Sequence, residues 1–290
     1  MNQLQNIFSG KEADFKRSAG LMRLACTSIF VLGIVVAPQT GSSQDFQSGK
    51  AQERVEYWQK RQSYIDAFVA ADNNLSAIKL VFLGDSITDF WTLKENPWVK
   101  GQMCGGNIWA ESFSGVEPEN LALNLGISGD RTEHILFRLL PKSSGGLGQL
   151  DRPELHPDYI ILLAGINNTW AGEDPVADSV YEGIKAIVIA AHERKPHAKI
   201  VLQSLLPTSD PIKNREVVIP VNQRLLELSE SPSFSPYVRH LDLYPSFLDS
   251  TGNQIESYFN DGLHPNEAGY RVWRDRLVAF LRSERKTHLS

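Results

Sequence analysis

Cysteine is scarce, with two residues, Cys26 and Cys104, in a chain of 290. Cys26 falls in an N-terminal stretch that reads as removable. One remaining thiol closes no internal disulfide, so the mature fold rests on its core. Nothing near Cys104 would depress its pKa, which leaves it a small loop residue rather than a nucleophile. Strong charge of one sign is also missing. Lys and Arg number 29 against 34 Asp and Glu, for a net charge of −5. With no basic stripe, a nucleic-acid partner is excluded. The sequence has no GxSxG, HExxH, Cys/His cluster, Walker loop or GxGxxG. It therefore lacks the α/β-hydrolase elbow, any expected metal site and both familiar phosphate cradles.

Long apolar runs are absent too. The longest, residues 24–37, is shorter than the ~20 residues of a membrane-spanning helix. Lys16, Arg17 and Arg23 precede it, and Val35 and Ala37 occupy the minus-three and minus-one positions of a cleavage site. Residues 1–41 read as a secretory signal, with an uncleaved membrane anchor as the alternative. Cys26 is no lipoprotein cysteine, because Arg23 stands where an aliphatic residue is needed. The expected mature protein is secreted or periplasmic, without a stable membrane span. Residues 42–77 read as a linker and an N-terminal helix, and 78–290 as the main domain.

What is present is an alternation of short apolar runs and helical periodicity. The runs are 79–83, 121–125, 159–164, 199–205 and 238–243. They are apolar without clean alternation, as strands of a parallel sheet buried on both faces should be. Between them, Asp174-Pro175 reads as a helix start, with Val176, Val180, Ile184, Ile187, Val188 and Ala191 on one face. Asp130 and Glu133 form a capping pair for a helix reaching Leu140. Another helix is expected to begin close to Pro220. Trp273, Leu277, Phe280 and Leu281 share a C-terminal helix face, and Val55, Trp58, Ile65, Phe68 and Val69 share one before the first strand. The pattern predicts an α/β fold: a flavodoxin-like three-layer α/β/α sandwich on a five-stranded parallel sheet.

In such folds ligands bind beyond the carboxyl ends of the strands. Four loops there bear chemistry: GDSIT at 84–88, NLGISG at 124–129, GINN at 165–168 and DGLHP at 261–265. Ester hydrolysis needs a hydroxyl, a base to take its proton, a carboxylate to orient the base, and donors for the oxyanion. Ser86 supplies the hydroxyl, His264 the base and Asp261 the carboxylate. The Ser86 N–H, the Gly126 N–H and the Asn167 amide are the candidate oxyanion donors.

Each residue also has an ordinary reading as a cap or turn former; the combination on converging loops points to catalysis. Among rivals, Ser128 is read as shaping the turn that presents Gly126, and Asp85 as a helix-start residue. His156 lies at the wrong end of the sheet. His192 and His197 lie near a helix end, and His240 lies inside a strand. His134 is the best alternative base but has no matching loop aspartate.

VFLGDSIT, NLGISGD, GINN and DGLHPNEAGY resemble the conserved blocks of the SGNH/GDSL hydrolase superfamily. NLGISGDRTEHILFRL resembles its platelet-activating-factor acetylhydrolase-like branch most. The resemblance covers roughly residues 78–283. It implies a serine nucleophile at Ser86, a triad with Asp261 and His264, oxyanion donors at Gly126 and Asn167, and no cofactor. Asn168 stands where many members carry Asp, a harmless change, since the donor is Asn167. The expected substrate is a small-molecule or carbohydrate ester with a short acyl group, acetyl first. Residues 89–118 bear Trp91, Trp98 and Trp109, which either stack on a sugar or bury their loop; 141–157 is rich in Gly and Pro. The alternatives are a lipid-type acylhydrolase and a catalytically silent glycan-binding module.

Overall fold

Helices cover a parallel sheet on both faces, so its central strands have no solvent side to make polar. A computed structural model describes residues 44–54, 58–71 and 74–287. The strands are β1 Leu80–Gly84, β2 Ala122–Asn124, β3 Tyr159–Leu163, β4 Lys199–Gln203 and β5 Val238–Leu241. Every residue of β1 and β3 is buried. All pairings are parallel, in the order β2-β1-β3-β4-β5. Leu80 pairs with Ala122 on one side and Tyr159 on the other. The chain runs from β1 outward to β2 and returns past β1 to β3, so the topological switch point lies between β1 and β3. The loops carrying Ser86 and Asn167 therefore flank the crevice by topology alone.

The helices are α1 Gln59–Ala70, α2 Ser86–Asp89, α3 Gly106–Ser112, α4 Thr132–Leu139, α5 Val176–Arg194, α6 Pro211–Lys213, α7 Ile219–Glu230 and α8 Glu267–Thr287. α3 packs on α8, while α5 packs on both α4 and α7. The expected apolar faces turn inward on α5 and α8, with Val176 and Phe280 half-buried. In the N-terminal stretch Trp58 and Ile65 are buried, with Phe68 and Val69 packed beside them. Val55 and the leader-like stretch 1–41 lie outside the described residues. Among the described residues, no helix is long and apolar enough to cross a membrane.

Three local expectations change. α5 is capped by Pro175 in extended conformation, and the Asp174 side chain makes no cap. α4 starts after Arg131, whose N–H is accepted by His134 Nδ1 at 3.1 Å. Asp130 is unavailable as a cap because its carboxylate is held by two arginines. Pro220 does open α7, but helical backbone extends back through a π turn, Asn214–Val218, to α6. That turn already breaks the regular i→i−4 ladder, so a proline without an N–H is accommodated there.

The stretch read as a linker is instead a docked strap. Ser48 Oγ donates to Ser179 O at 2.7 Å, and Thr132 Oγ1 donates to Ser48 O at 2.8 Å. Glu173 accepts from the N–H groups of Gln47 and Ser48 and from Ser179 Oγ. Gln52 N–H reaches Glu133 O at 3.0 Å.

Candidate active site

Asp85 ends β1's turn and caps α2, its Oδ1 accepting the Ile87 N–H at 3.0 Å. This places Ser86 at the first position of α2, only 3% exposed. Tyr270 of α8 locks the turn by donating to Ile87 O at 2.8 Å. His264 Nε2 lies 2.9 Å from Ser86 Oγ, and its Nδ1 lies 2.8 Å from Asp261 Oδ2. Asp261 Oδ1 also accepts the main-chain N–H groups of Leu263 and His264. Burial alone would raise the Asp261 pKa. Bonds from the His264 ring and main chain outweigh it and hold the carboxyl below its usual range. Gly262, with φ +77°, lets the short Asp261–His264 loop fold back on itself.

Two aromatic rings wall the imidazole. Phe90 lies 5.1 Å from it and Trp98 lies 4.9 Å away, edge-on. Trp91 is fully buried and Trp109 packs on Phe82 at 5.1 Å, so those two fasten their loop to the core. Trp98 alone of the three is 52% exposed. Its turn is held by Asn96 Oδ1, which accepts the Trp98 and Val99 N–H groups. Phe90 and Trp98 also form part of a groove of about 460 Å³, with Trp58, Tyr64, Leu93 and Pro97 among its other walls.

The main-chain amide of Gly126 is not free, contrary to expectation. The Gly126 N–H donates to Asn124 Oδ1 at 2.8 Å and is therefore occupied. What demands glycine at 126 is packing: a Cβ there would lie 2.4 Å from Asp89 N. The turn that follows closes with Asp130 N–H on Ile127 O at 3.1 Å, with Gly129 at φ +80° in its third position. The Gly129 and Ser86 N–H groups take no partner among the described residues. Asn167 Nδ2 donates to Asp130 O at 2.8 Å, which sets its amide beside that same turn with one N–H to spare. The sequence offers Gly129 only as a second glycine in the 124–129 loop; that its amide is the free one follows from the bonds of its neighbours.

Asn168 accepts Thr132 N–H and donates to Glu133 Oε2 at 2.8 Å. An aspartate here would face the Glu133 carboxylate, so Asn168 is matched to its neighbour and stays off the crevice. Buried Arg138 and half-buried Arg61 brace this region. Arg138 bonds Asp130 at 2.8 Å, Leu125 O and Gly84 O; Arg61 pairs with Asp89 at 2.9 Å and reaches Asn124 O and Gly126 O.

Several of the rivals have structural roles. Ser128 N–H donates to Asp89 Oδ2 at 3.1 Å, a turn-shaping role. His134 caps α4, and burial pushes its pKa down to about 4. His192 stacks on Tyr237. Cys104 is a loop residue as read, and it is buried in the core, its thiol pushed up to about 12 by burial and by Asp261. Among the described residues, no His/Cys/Asp/Glu group is arranged to hold a metal ion.

A five-stranded α/β/α sandwich with a serine, histidine and aspartate in hydrogen-bonded series at its switch point defines a class of acyl-ester hydrolases. Residues 82–272 match the GDSL-like lipase/acylhydrolase family, and the chain belongs to that family. It is 32% identical over 204 residues to human platelet-activating factor acetylhydrolase IB subunit alpha1, covering 69% of this chain and 74% of the relative. The rat alpha2 subunit is 33% identical over 192 residues, covering 66% and 70%. A GDSL-like lipase from Bacteroides thetaiotaomicron shares the fold at a TM-score of 0.56 and 17% identity, over 78% of this chain and 98% of that one. The protein is a hydrolase acting on ester bonds.

Proposed function

We propose that the protein is a serine esterase for short acyl esters, acetyl first, with Ser86 as nucleophile, His264 as general base and Asp261 as its orienting carboxylate. The observation that carries this is the unbroken series Ser86 Oγ, His264 Nε2, His264 Nδ1, Asp261 Oδ2 at 2.9 and 2.8 Å. His264 takes the Ser86 proton as Oγ attacks the acyl carbon, then returns it to the departing alcohol oxygen. Water repeats the cycle on the acyl-serine. The Ser86 and Gly129 N–H groups and the Asn167 amide receive the oxyanion. Gly129 takes this place rather than Gly126, whose amide is already bound to Asn124.

Because His264 hands its proton to the alcohol, the groove beside it is the leaving-group side. Its exposed Trp98 and Tyr64 offer planar faces suited to a sugar ring. The acetylhydrolase names of the mammalian relatives support a small acyl group. A lipid-type ester is the competing reading.

The test is kcat/KM on p-nitrophenyl acetate, butyrate and octanoate, with Ser86→Ala as control. A steep fall from acetate to octanoate is expected, together with a loss of several orders of magnitude in a folded Ser86→Ala variant. A preference for octanoate overturns the short-acyl reading. A folded Ser86→Ala variant that keeps most activity overturns the nucleophile.

A further inference from the structure

We propose that Arg54, supplied by the N-terminal strap, is a positioning residue of the oxyanion site, acting through the peptide between Ser128 and Gly129. This rests on the esterase reading above. Arg54 is buried, and its Nη1 donates to Ser128 O at 2.7 Å and to Asp130 Oδ1 at 3.0 Å. It thus grips the residues on both sides of Gly129.

The geometry of one peptide unit carries the argument. A trans peptide is planar, and its C=O and N–H point in opposite directions. Ser128 O and the Gly129 N–H belong to the same unit. A donor fixed on Ser128 O therefore fixes the direction of the Gly129 N–H, which points away from Arg54. This unit is the central peptide of the turn Ile127–Asp130, and the turn's own bond, Asp130 N–H to Ile127 O, does not hold it. Central peptides of turns rotate between two orientations, and glycine at the third position accepts both. A rotation here would carry Ser128 O off a buried guanidinium and swing the Gly129 N–H off the oxyanion. A bond from a charged donor also polarises the peptide and strengthens its N–H as a donor.

A purely structural role fits less well. Asp130 has a second, fully buried arginine partner in Arg138 Nε at 2.8 Å, so its charge is met without Arg54. Ser128 O has Arg54 as its side-chain partner. Arg54 also blocks the space behind the turn, since a Cβ on Gly129 would meet its Nη2 at 2.6 Å. The strap's anchors on Ser179, Glu173 and Glu133 hold the arginine in place from outside the core of the domain.

The experiment compares full-length wild type, Arg54→Met and Arg54→Lys. Competent sites are counted by end-point fluorophosphonate labelling of Ser86, and kcat and KM for p-nitrophenyl acetate are expressed per labelled site. Arg54→Met is expected to label to completion but more slowly. Its kcat should fall about 10- to 100-fold, a part of the loss seen when an oxyanion donor is removed, with KM nearly unchanged. Arg54→Lys, which can still donate to Ser128 O, should recover part of the loss. A kcat per labelled site within twofold of wild type in Arg54→Met overturns the proposal, as does a loss confined to melting temperature or labelled fraction. If Arg54→Met does not fold, Arg54→Lys decides alone: an unchanged kcat overturns the proposal, and a lowered kcat at constant KM supports it. Absence of labelling and of hydrolysis in the wild type would instead sink the esterase reading itself.

Discussion

Asp85 sits next to the nucleophile with no exposure to water. One carboxylate oxygen accepts the Ile87 N–H; the other has no partner among the described residues. Burial pushes its pKa up from 3.8 to about 7, against the pull of the Ile87 N–H and of His264. The folded state therefore binds this proton more tightly than the unfolded chain does. Between about pH 4 and pH 7 the native state holds more protons, so stability falls as pH rises through that window. Three pH units correspond to a change on the order of 4 kcal/mol. Asp85→Asn keeps the capping acceptor and removes the titration. Urea midpoints measured from pH 4 to pH 8 should decline in wild type and stay nearly level in the variant; equal slopes would refute this role for Asp85. The sequence showed Asp85 as a helix-start residue, which it is. The charges that bear on it, His264 and Asp130, come from elements remote in the chain, and no local pattern carries that.

At the scale of elements, the end of β2 is pressed onto the backbone of α2 at Gly126. A methyl group there would sit 2.4 Å from Asp89 N and 2.7 Å from Thr88 C, rigid atoms that have nowhere to move. Gly126→Ala is expected to destabilise by about 1–3 kcal/mol. It should also lower esterase activity, because the helix it displaces begins with Ser86. Gly49→Ala, which meets nothing within 4 Å, is the control for thermal denaturation. Equal melting temperatures for the two variants would show that β2 and α2 are not in forced contact. The strands and the loops bearing Ser86, Asn167, Asp261 and His264 were legible, because unbroken apolar runs and helical periods are written locally. Which glycine amide is left without a partner among the described residues was not. That choice is made by the Asn124 side chain, which folds over and takes the Gly126 N–H. The cap of α5 was missed for a similar reason: Pro175 shifts the start by one residue, and Glu173, not Asp174, gathers the nearby donors.

Over the whole molecule, the strap joins residues far apart in sequence: Ser48 and Ser179 are 131 positions apart, and Arg54 and Ser128 are 74 apart. Composition marked this stretch only as polar and leader-adjacent, so its docking could not be read from it. The separation has a kinetic meaning. Closing so long a loop is entropically unfavourable until both of its ends are preassembled, and contacts of this range form slowly. The sheet and the tryptophan cluster can begin from nearer partners: Leu80 and Ala122 are 42 positions apart, and Trp91 and Phe113 are 22 apart. On dilution from urea, tryptophan fluorescence should therefore recover in an earlier phase than hydrolysis of p-nitrophenyl acetate. Superimposable recoveries would show that the strap docks with the sheet. The molecule thus has a chronology as well as a shape: among the described residues, the segment that leaves the ribosome first is the one expected to dock last.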